Sequence, residues 1–180
     1  MSLRHAILGF LSICPQSGYE LRKHMDESTG HFWPADQAQI YRTLTQLLTD
    51  GLIDVRDIAQ AGKPDRREHR INEHGSSELD AWLTSPITYA PAREPFLLRL
   101  FFVGRLGTGP ALAVLEERAA SAKELLQTLT ALRDTIRAEL PPVLDLALRL
   151  RLATLDNGIV HARAELSWAE LLVKEFEQPS

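Results

Sequence analysis

The sequence predicts a mostly α-helical protein in two parts: a small helical domain interrupted by one β-hairpin, then a region of long helices. Three observations predict it. Apolar residues recur at spacings of three and four over most of the 180 positions. The period drops to two only between Leu52 and Ile71, on either side of a turn. After Pro110 two long stretches carry heptad-like stripes and are separated by Pro141-Pro142.

Leu3, Ala6, Ile7, Phe10 and Leu11 share one face of a first helix, which Pro15 ends. Ser17-Gly18-Tyr19-Glu20 has the form of a capping box, so a second helix starts there and runs to about Ser28, with Gly30 as its stop. Asp36, with Gln39 three positions on, opens a third helix. Ile40, Leu44, Leu47 and Leu48 form its apolar face. Ala38, Arg42, Thr45, Gln46 and Thr49 lie opposite, flanked by Gln39 and Tyr41. Gly51 sits where a helix-terminating glycine belongs. Leu52 to Ile58 and Arg66 to Ile71 alternate as strands around the turn residues 61–65. Asn72 caps a fourth helix carrying Leu79, Trp82 and Leu83.

Residues 86–92, with Pro86 and Pro91, form the expected linker between a domain at 1–85 and a helical domain at 93–180. Pro95 to Leu106 is a dense apolar helix, and Gly107-Thr108-Gly109-Pro110 breaks it. The next helix carries Leu112, Leu115, Ala119, Ala122, Leu126, Leu129, Ile136 and Leu140, with Arg133 as its polar interruption. The last carries Leu148, Leu152, Leu155, Ile159, Ala162, Leu166, Ala169, Val173 and Phe176. Such stripes predict helix-on-helix packing, within one chain or between two. If they faced solvent in a monomer, the exposed apolar patch would exceed what a soluble monomer tolerates. Dimerisation is therefore expected through the last helix, at Leu148, Leu152, Leu155, Ile159, Leu166 and Val173.

Composition narrows the function classes. The net charge is −4. Residues 1–85 hold nine basic and twelve acidic side chains, and residues 86–180 hold eleven and twelve, so neither half is a basic arm. Any nucleic-acid partner must then be met by local charge. The lone Cys14 excludes an intrachain disulfide and a cysteine-rich metal cluster, and suits a reducing cytosol. The N-terminal apolar patch carries Arg4 and His5 and lacks a cleavage site of small residues, which argues against a signal peptide. No apolar run reaches membrane-spanning length. A cytoplasmic protein is expected.

Three helices, a hairpin and a fourth helix in that order describe a winged helix-turn-helix. In such a module the third helix enters the DNA major groove. Arg42 can bridge guanine acceptors, and Gln39 or Gln46 can pair with adenine, with Thr45 on the same polar face. The hairpin then presents Lys63, Arg66, Arg67 and Arg70 against Asp65 and Glu68, a local excess of +2. That excess answers the objection from the acidic total, because a few phosphate contacts supply most non-specific affinity. The reading requires the polar side of residues 37–49 and the cationic hairpin at 63–70 to meet a duplex together.

At these residues the sequence resembles the PadR family of transcriptional regulators. The resemblance lies in Gly18-Tyr19-Glu20-Leu21, in Trp33-Pro34 followed by Gln39-Ile40-Tyr41-Arg42-Thr43-Leu44, in Asp50-Gly51-Leu52-Ile53, in the Gly62-Lys63-Pro64 wing and in Gly75. Arg93 to Leu106, and Leu155-Asp156-Asn157-Gly158 through Trp168, are similar to the larger subclass with a virulence-activator-like C-terminal region. The resemblance implies a homodimer that binds double-stranded operator DNA and often represses, with Tyr19 and Tyr41 reaching phosphates and Arg42 near the groove. It also implies a pocket for a small aromatic or hydrophobic effector, for which Phe96, Phe102 and Trp168 are the candidates. Two positions depart from the pattern. His69 stands where a wing tyrosine is common, which puts a tyrosine contact in doubt and could make binding pH-sensitive. Asn72 stands for a threonine and preserves the cap.

Other readings carry less. His5, His24 and His31 lie near Asp26 and Glu27 without the spacing of a tight ligand pair, so no metal is expected. No cofactor is expected either. Gly104 to Gly109 lacks the Lys-Ser/Thr of a phosphate loop and follows no strand, and no nucleophile with a base is visible, so an enzyme is not expected. The main alternative is a helical, winged protein–protein interaction module that does not bind DNA.

Overall fold

The computed structural model describes residues 3–58, 66–87 and 93–177. The expected hairpin tip at 61–65, Lys63 with it, and residues 88–92 of the expected linker lie outside the described residues. The chain forms two compact units, Met1–Tyr89 and Ala90–Ser180.

The first unit runs α1 (Leu3–Ile13), β1 (Gln16–Ser17), α2 (Gly18–Ser28), α3 (Gln37–Thr49), β2 (Ile53–Ile58), β3 (Arg66–Ile71) and α4 (Glu73–Thr84). The antiparallel sheet has the order β1-β3-β2. Four helices and a hairpin stand in the expected order. The two-residue β1 is an addition: it pairs Gln16 with His69 and Ser17 with Glu68. Because β3 is flanked on both sides, its buried residues face a row of neighbours, with Val55 on one side of His69 and Gln16 on the other.

The core gathers Ile7, Leu8 and Leu11 of α1, Leu21 and Met25 of α2, Ile40, Leu44 and Leu47 of α3, Leu52, Ile53 and Leu79. These are the apolar positions of each helical period, and full burial of each such side chain contributes about 1.5–3 kcal/mol. Local chemistry sets the helix ends. Ser17 and Glu20 form the complete reciprocal capping box of α2. Asp36 accepts from Gln39 N at 2.8 Å. Asn72 joins two elements: its Oδ1 accepts from Gly75 N at 3.0 Å, and its Nδ2 donates to Gly51 O at 3.0 Å. Gly51 takes φ +68°, the left-handed turn that lets the chain leave α3 for β2.

Arg4 ties three elements. Its guanidinium donates to both carboxylate oxygens of Glu78 on α4 and to Asp50 at the end of α3. Those bonds raise the Arg4 pKa further and hold the Asp50 and Glu78 carboxyls below their usual range. Beside it His5 stacks on Trp82, with ring centroids 4.8 Å apart.

The second unit holds α5 (Pro95–Val103), a 3-10 turn (Gly104–Leu106), α6 (Thr108–Ala138) and α7 (Leu146–Glu177). The apolar helix expected through Leu106 tightens into the 3-10 turn after Val103, and Gly107 at φ +92° redirects the chain into α6. Arg118 pairs with Glu165 at 2.6 Å and Arg133 with Asp156 at 3.5 Å. The reversed order of those partners makes α6 and α7 an antiparallel hairpin. Arg133, the polar break in the α6 stripe, is thus answered from α7.

This hairpin takes up two residues of the expected dimer stripe. Leu155 and Ile159 are buried against Leu129 of the same chain, and Ala162 and Ala169 are buried as well. Leu148, Leu152, Leu166 and Val173 lie half-buried on the same stripe. A heptad pattern fits either an intrachain or an interchain seam, and Leu155 and Ile159 are taken by the intrachain one.

Two glycines in the first unit give a matched stability prediction. A Cβ on Gly75 would lie 2.1 Å from the Leu52 carbonyl oxygen, whereas one on Gly9 meets nothing within 4 Å. Gly75→Ala is expected to destabilise the protein by about 2 kcal/mol or more, through displaced backbone. Gly9→Ala is expected to stabilise it by about 0.5–1 kcal/mol, by removing glycine's excess freedom within a helix. Urea midpoints at constant slope measure both.

Candidate nucleic-acid interface

The polar side of α3 is open. Gln37, Ala38, Gln39, Tyr41, Arg42, Thr45, Gln46 and Thr49 are exposed, while Ile40, Leu44 and Leu47 anchor the opposite side. Between Gln37 and Thr49 there is no acidic residue, so Arg42 is the only charge along the face. Its Nε donates to Ala38 O at 3.3 Å, which lays the guanidinium along the helix. Thr45 Oγ1 donates to Tyr41 O at 3.0 Å. Gln46 Nε2 donates to Asp50 Oδ1 at 2.7 Å, so Gln46 is tied into the Arg4 network. Gln39 contributes its main-chain N–H to the helix cap and leaves its side chain on the surface.

The first turn of α2 stands between α3 and the wing. Gly18 is packed so closely that an added Cβ would come within 2.8 Å of the Tyr41 ring and 3.3 Å of Leu44. Tyr41 is thereby wedged on one edge yet remains 44% exposed. Tyr19 is 69% exposed beside it. On the other side Glu20 accepts from Arg66 Nη2 of β3 at 2.7 Å. The capping-box carboxylate is therefore also the latch that holds the wing. A contiguous path runs from Tyr41 through Gly18 and Glu20 to Arg66.

Glu20 bears three donors on one oxygen: Ser17 N at 2.9 Å, Ser17 Oγ at 2.8 Å and Arg66. Burial pushes its pKa up, but the Ser17 main-chain and side-chain bonds, with the Arg66 charge, outweigh that and leave it below the usual glutamate value.

The wing cations divide into different surroundings. Arg66 is two-thirds buried, bound to Glu20 and 3.5 Å from Glu68, so its charge is largely answered inside the protein. Arg67 stands out in solvent at 3.6 Å from Asp57 of β2. Arg70 is exposed opposite Asp54 in the ladder. Sequence spacing shows four like residues at a hairpin. It cannot show that one of them has a partner on α2.

Arg22 was missed by the sequence reading. It is exposed on α2 and donates to Gln37 Oε1 at 2.7 Å, placing a cation beside the first residue of α3. The available signal was its position three residues after Tyr19, on the same outward face.

In the second unit, Phe96 and Trp168 meet edge to face with centroids 6.1 Å apart. Arg118 lies 4.8 Å above the Phe96 ring. Phe102 makes its ring contact with Phe101 instead and is 56% exposed. A cavity of about 270 Å³ borders Phe96, Arg99, Arg118 and Ser121. Among the described residues no group of His, Cys, Asp and Glu could hold a metal ion, and no helix is long and apolar enough to cross a membrane.

Comparison with known proteins joins both units. Residues 7–81 match the "Transcriptional regulator PadR-like family", and residues 92–177 match "Virulence activator alpha C-term". A probable transcriptional regulator of Mycobacterium tuberculosis is 40% identical over 90 residues, a match spanning 49% of this chain and 47% of that protein. The negative transcriptional regulator PadR of Bacillus subtilis is 28% identical over 143 residues, 78% of each chain. The crystal structure of that PadR with operator DNA superposes with a TM-score of 0.87 at 25% identity, covering 96% of this chain and 97% of the other. The same PadR has been solved with p-coumaric acid. The virulence activator AphA of Vibrio cholerae superposes with a TM-score of 0.76 at 27% identity, covering 98% of each chain.

The latch predicts an acid limb. Because the Glu20 pKa is lowered in the fold, its contribution is complete above the ordinary glutamate value of 4.5 and is lost as pH falls through the lowered value. Glu20→Gln is expected to flatten that part of the stability curve. Urea midpoints between about pH 3 and pH 6 measure it.

Proposed function

We propose a function from one established premise: this chain belongs to the PadR-like family of transcriptional regulators, with the virulence-activator type of C-terminal region. It is a sequence-specific DNA-binding regulator that acts as a homodimer, represses from a double-stranded operator, and answers to a small aromatic or hydrophobic molecule. The observation that carries the DNA reading is the continuity of α3, the first turn of α2 and the wing. Gly18 seats Tyr41, and Glu20 seats Arg66, so one helix turn fixes both contacting elements.

Roles follow from chemistry and position. Arg42 and Gln39 read base edges, and Thr45 and Gln46 support them. Tyr19, Tyr41 and Arg22 set phosphate register from α2 and the start of α3. Arg67, Arg70 and Lys63 provide wing charge to the backbone. Arg66 contributes mainly by holding the wing in place.

The homodimer rests on a second stripe of α7. Leu146, Leu150, Ala153, Asn157, Val160, Ala164, Ser167 and Leu171 keep a strict four-three spacing, and all are exposed. This stripe lies on the side of α7 opposite the seam with α6. The apolar ends favour pairing, Ala153 and Ala164 permit close approach, and a single Asn157 near the middle suits a position that fixes register. Leu98, Phe101 and Leu106 are also strongly exposed, more apolar surface than an isolated monomer carries comfortably. The intrachain stripe at Leu155 and Ile159 acts indirectly, by holding the hairpin that presents the outer face.

For the effector, the cavity bordered by Phe96 has the size of a small ring compound, and Arg99 supplies positive charge beside it, with Arg118, paired to Glu165, and Glu117 also on its wall. An aromatic acid fits that chemistry, and the B. subtilis relative binds one.

Gel shift with the protein's own upstream region across a salt series tests the DNA reading. Arg42→Ala is expected to lose about 1–3 kcal/mol of affinity and relax sequence preference. Lys63→Ala with Arg67→Ala is expected to flatten the salt slope by about one to two, and unchanged affinity and slope in both variants would refute the assignment. Val160→Glu is expected to shift the protein to monomer by light scattering and weaken operator binding with it. A dimer unchanged by that charge would place the interface elsewhere.

A further inference from the structure

The joint between the wing and the first two helices contains a buried histidine that the DNA reading does not use. His69 is 7% exposed in β3, in register between Gln16 of β1 and Val55 of β2. The ring donates one hydrogen bond to the Gln16 main chain. Its Nδ1 is buried and meets no hydrogen-bond partner among the described residues. Gln16 is itself 3% exposed and fully engaged: its Nε2 donates to Phe10 O at 3.1 Å, and its Oε1 lies 2.6 Å from His24 Nδ1.

Among the described residues, no carboxylate is in contact with His69 to receive a protonated ring. On β3, Arg67 opposes a positive ring. From β2 the register neighbour is apolar Val55, with Asp54 opposite Arg70 and Arg56 opposite Glu68 in the flanking rows. From α2, His24 reaches the same glutamine, and Glu20 is engaged by Ser17 and Arg66. From α1 the nearest group in this network is the Phe10 carbonyl, already used by Gln16. Protonation at Nδ1 would place an N–H and a charge where no described residue accepts them.

We propose that the Gln16–His69 joint is a proton-sensitive hinge: protonation of His69 opens the two-residue pairing of β1 with β3 and lets the wing leave its DNA-binding position. The β1 pairing is the weak link, because β3 keeps six register partners on β2 and only two on β1. Opening there leaves the β2–β3 hairpin and the core intact. It does disturb Ser17, which caps α2 and supports the Glu20–Arg66 latch.

The direction follows from linkage. The closed joint holds His69 neutral, with burial as the main cause of its lowered pKa, while the open joint titrates near the ordinary value of 6.5. Closure is complete above that value and weakens as pH falls below it. The effect on affinity rests on the DNA-binding reading; the opening itself does not.

The test compares the full chain with His69→Gln, whose amide nitrogen can keep the bond to Gln16 and cannot be protonated. Two readouts are taken at fixed ionic strength. Nuclear magnetic resonance on the protein alone follows the His69 ring and the amides of Gln16, Ser17 and Glu68 from about pH 7.5 to pH 5.5. Those amides are expected to shift with the ring's midpoint, and titration of the ring with the amides unmoved overturns the hinge. Anisotropy on a fluorescent duplex from the protein's own upstream region should show wild-type affinity falling by about threefold or more relative to His69→Gln over the same range. His24→Gln should retain that fall. Equal pH responses in wild type and His69→Gln overturn the proposal. If no duplex binds at any pH, the DNA reading fails, and the amide shifts alone decide the hinge.

Discussion

The first turn of α2 bears constraints from three directions. Ser17 and Glu20 must close the capping box, Gly18 must leave room for Tyr41, and Glu20 must also receive Arg66. A single carboxylate oxygen thus finishes a helix and tethers a strand. The arrangement of α3 against the wing depends on it, because β1 is only two residues long. An N-terminal cap is usually a local device worth about 1 kcal/mol. Here the same group also carries a long-range charge-assisted bond, and such bonds are stronger than neutral ones.

This arrangement explains how a chain of net charge −4 presents a surface for DNA. Several carboxylates of the first unit are engaged by other groups rather than left free along the α3 face. Asp36 caps its start, Asp50 and Glu78 are bound to Arg4, and Glu20 is bound to Arg66. What remains on the face is Arg42, three glutamines, two threonines and a tyrosine, with Arg22, itself 3.5 Å from Asp26, alongside. Local placement, rather than total charge, decides the field that a phosphate backbone meets.

Much of the fold could be read from the sequence, because the signals were local. Ser17 with Glu20, Asp36, Gly51 and Asn72 mark helix ends through bonds to residues at most four positions away, and the periodicity of Ile40, Leu44 and Leu47 marks a buried face. The residues that proved hard to place have distant partners. Gln16 and Ser17 have no strand character of their own and become β1 only because His69 and Glu68 lie beside them. Arg66 looks like any wing cation until Glu20 is found next to it. Leu155 and Ile159 have a heptad spacing that fits pairing with another chain as well as with α6, and the fold uses them for α6. Phe102, grouped with Phe96 and Trp168 through the family resemblance, makes its ring contact with Phe101. The family resemblance read from short motifs agrees with the matches across residues 7–81 and 92–177.

The two faces of α7 differ: one four-three stripe is buried against α6, and the opposite stripe, interrupted by Asn157, is exposed. In the first unit, the proposal is that α3, the first turn of α2 and the wing meet one duplex as a single surface. Hydrogen-exchange mapping of the full chain with and without its upstream DNA tests this most directly. Simultaneous protection is expected at 19–22, along 37–49 and in the wing strands. Protection confined to the C-terminal helices, or present on α3 and absent from the wing, would contradict it.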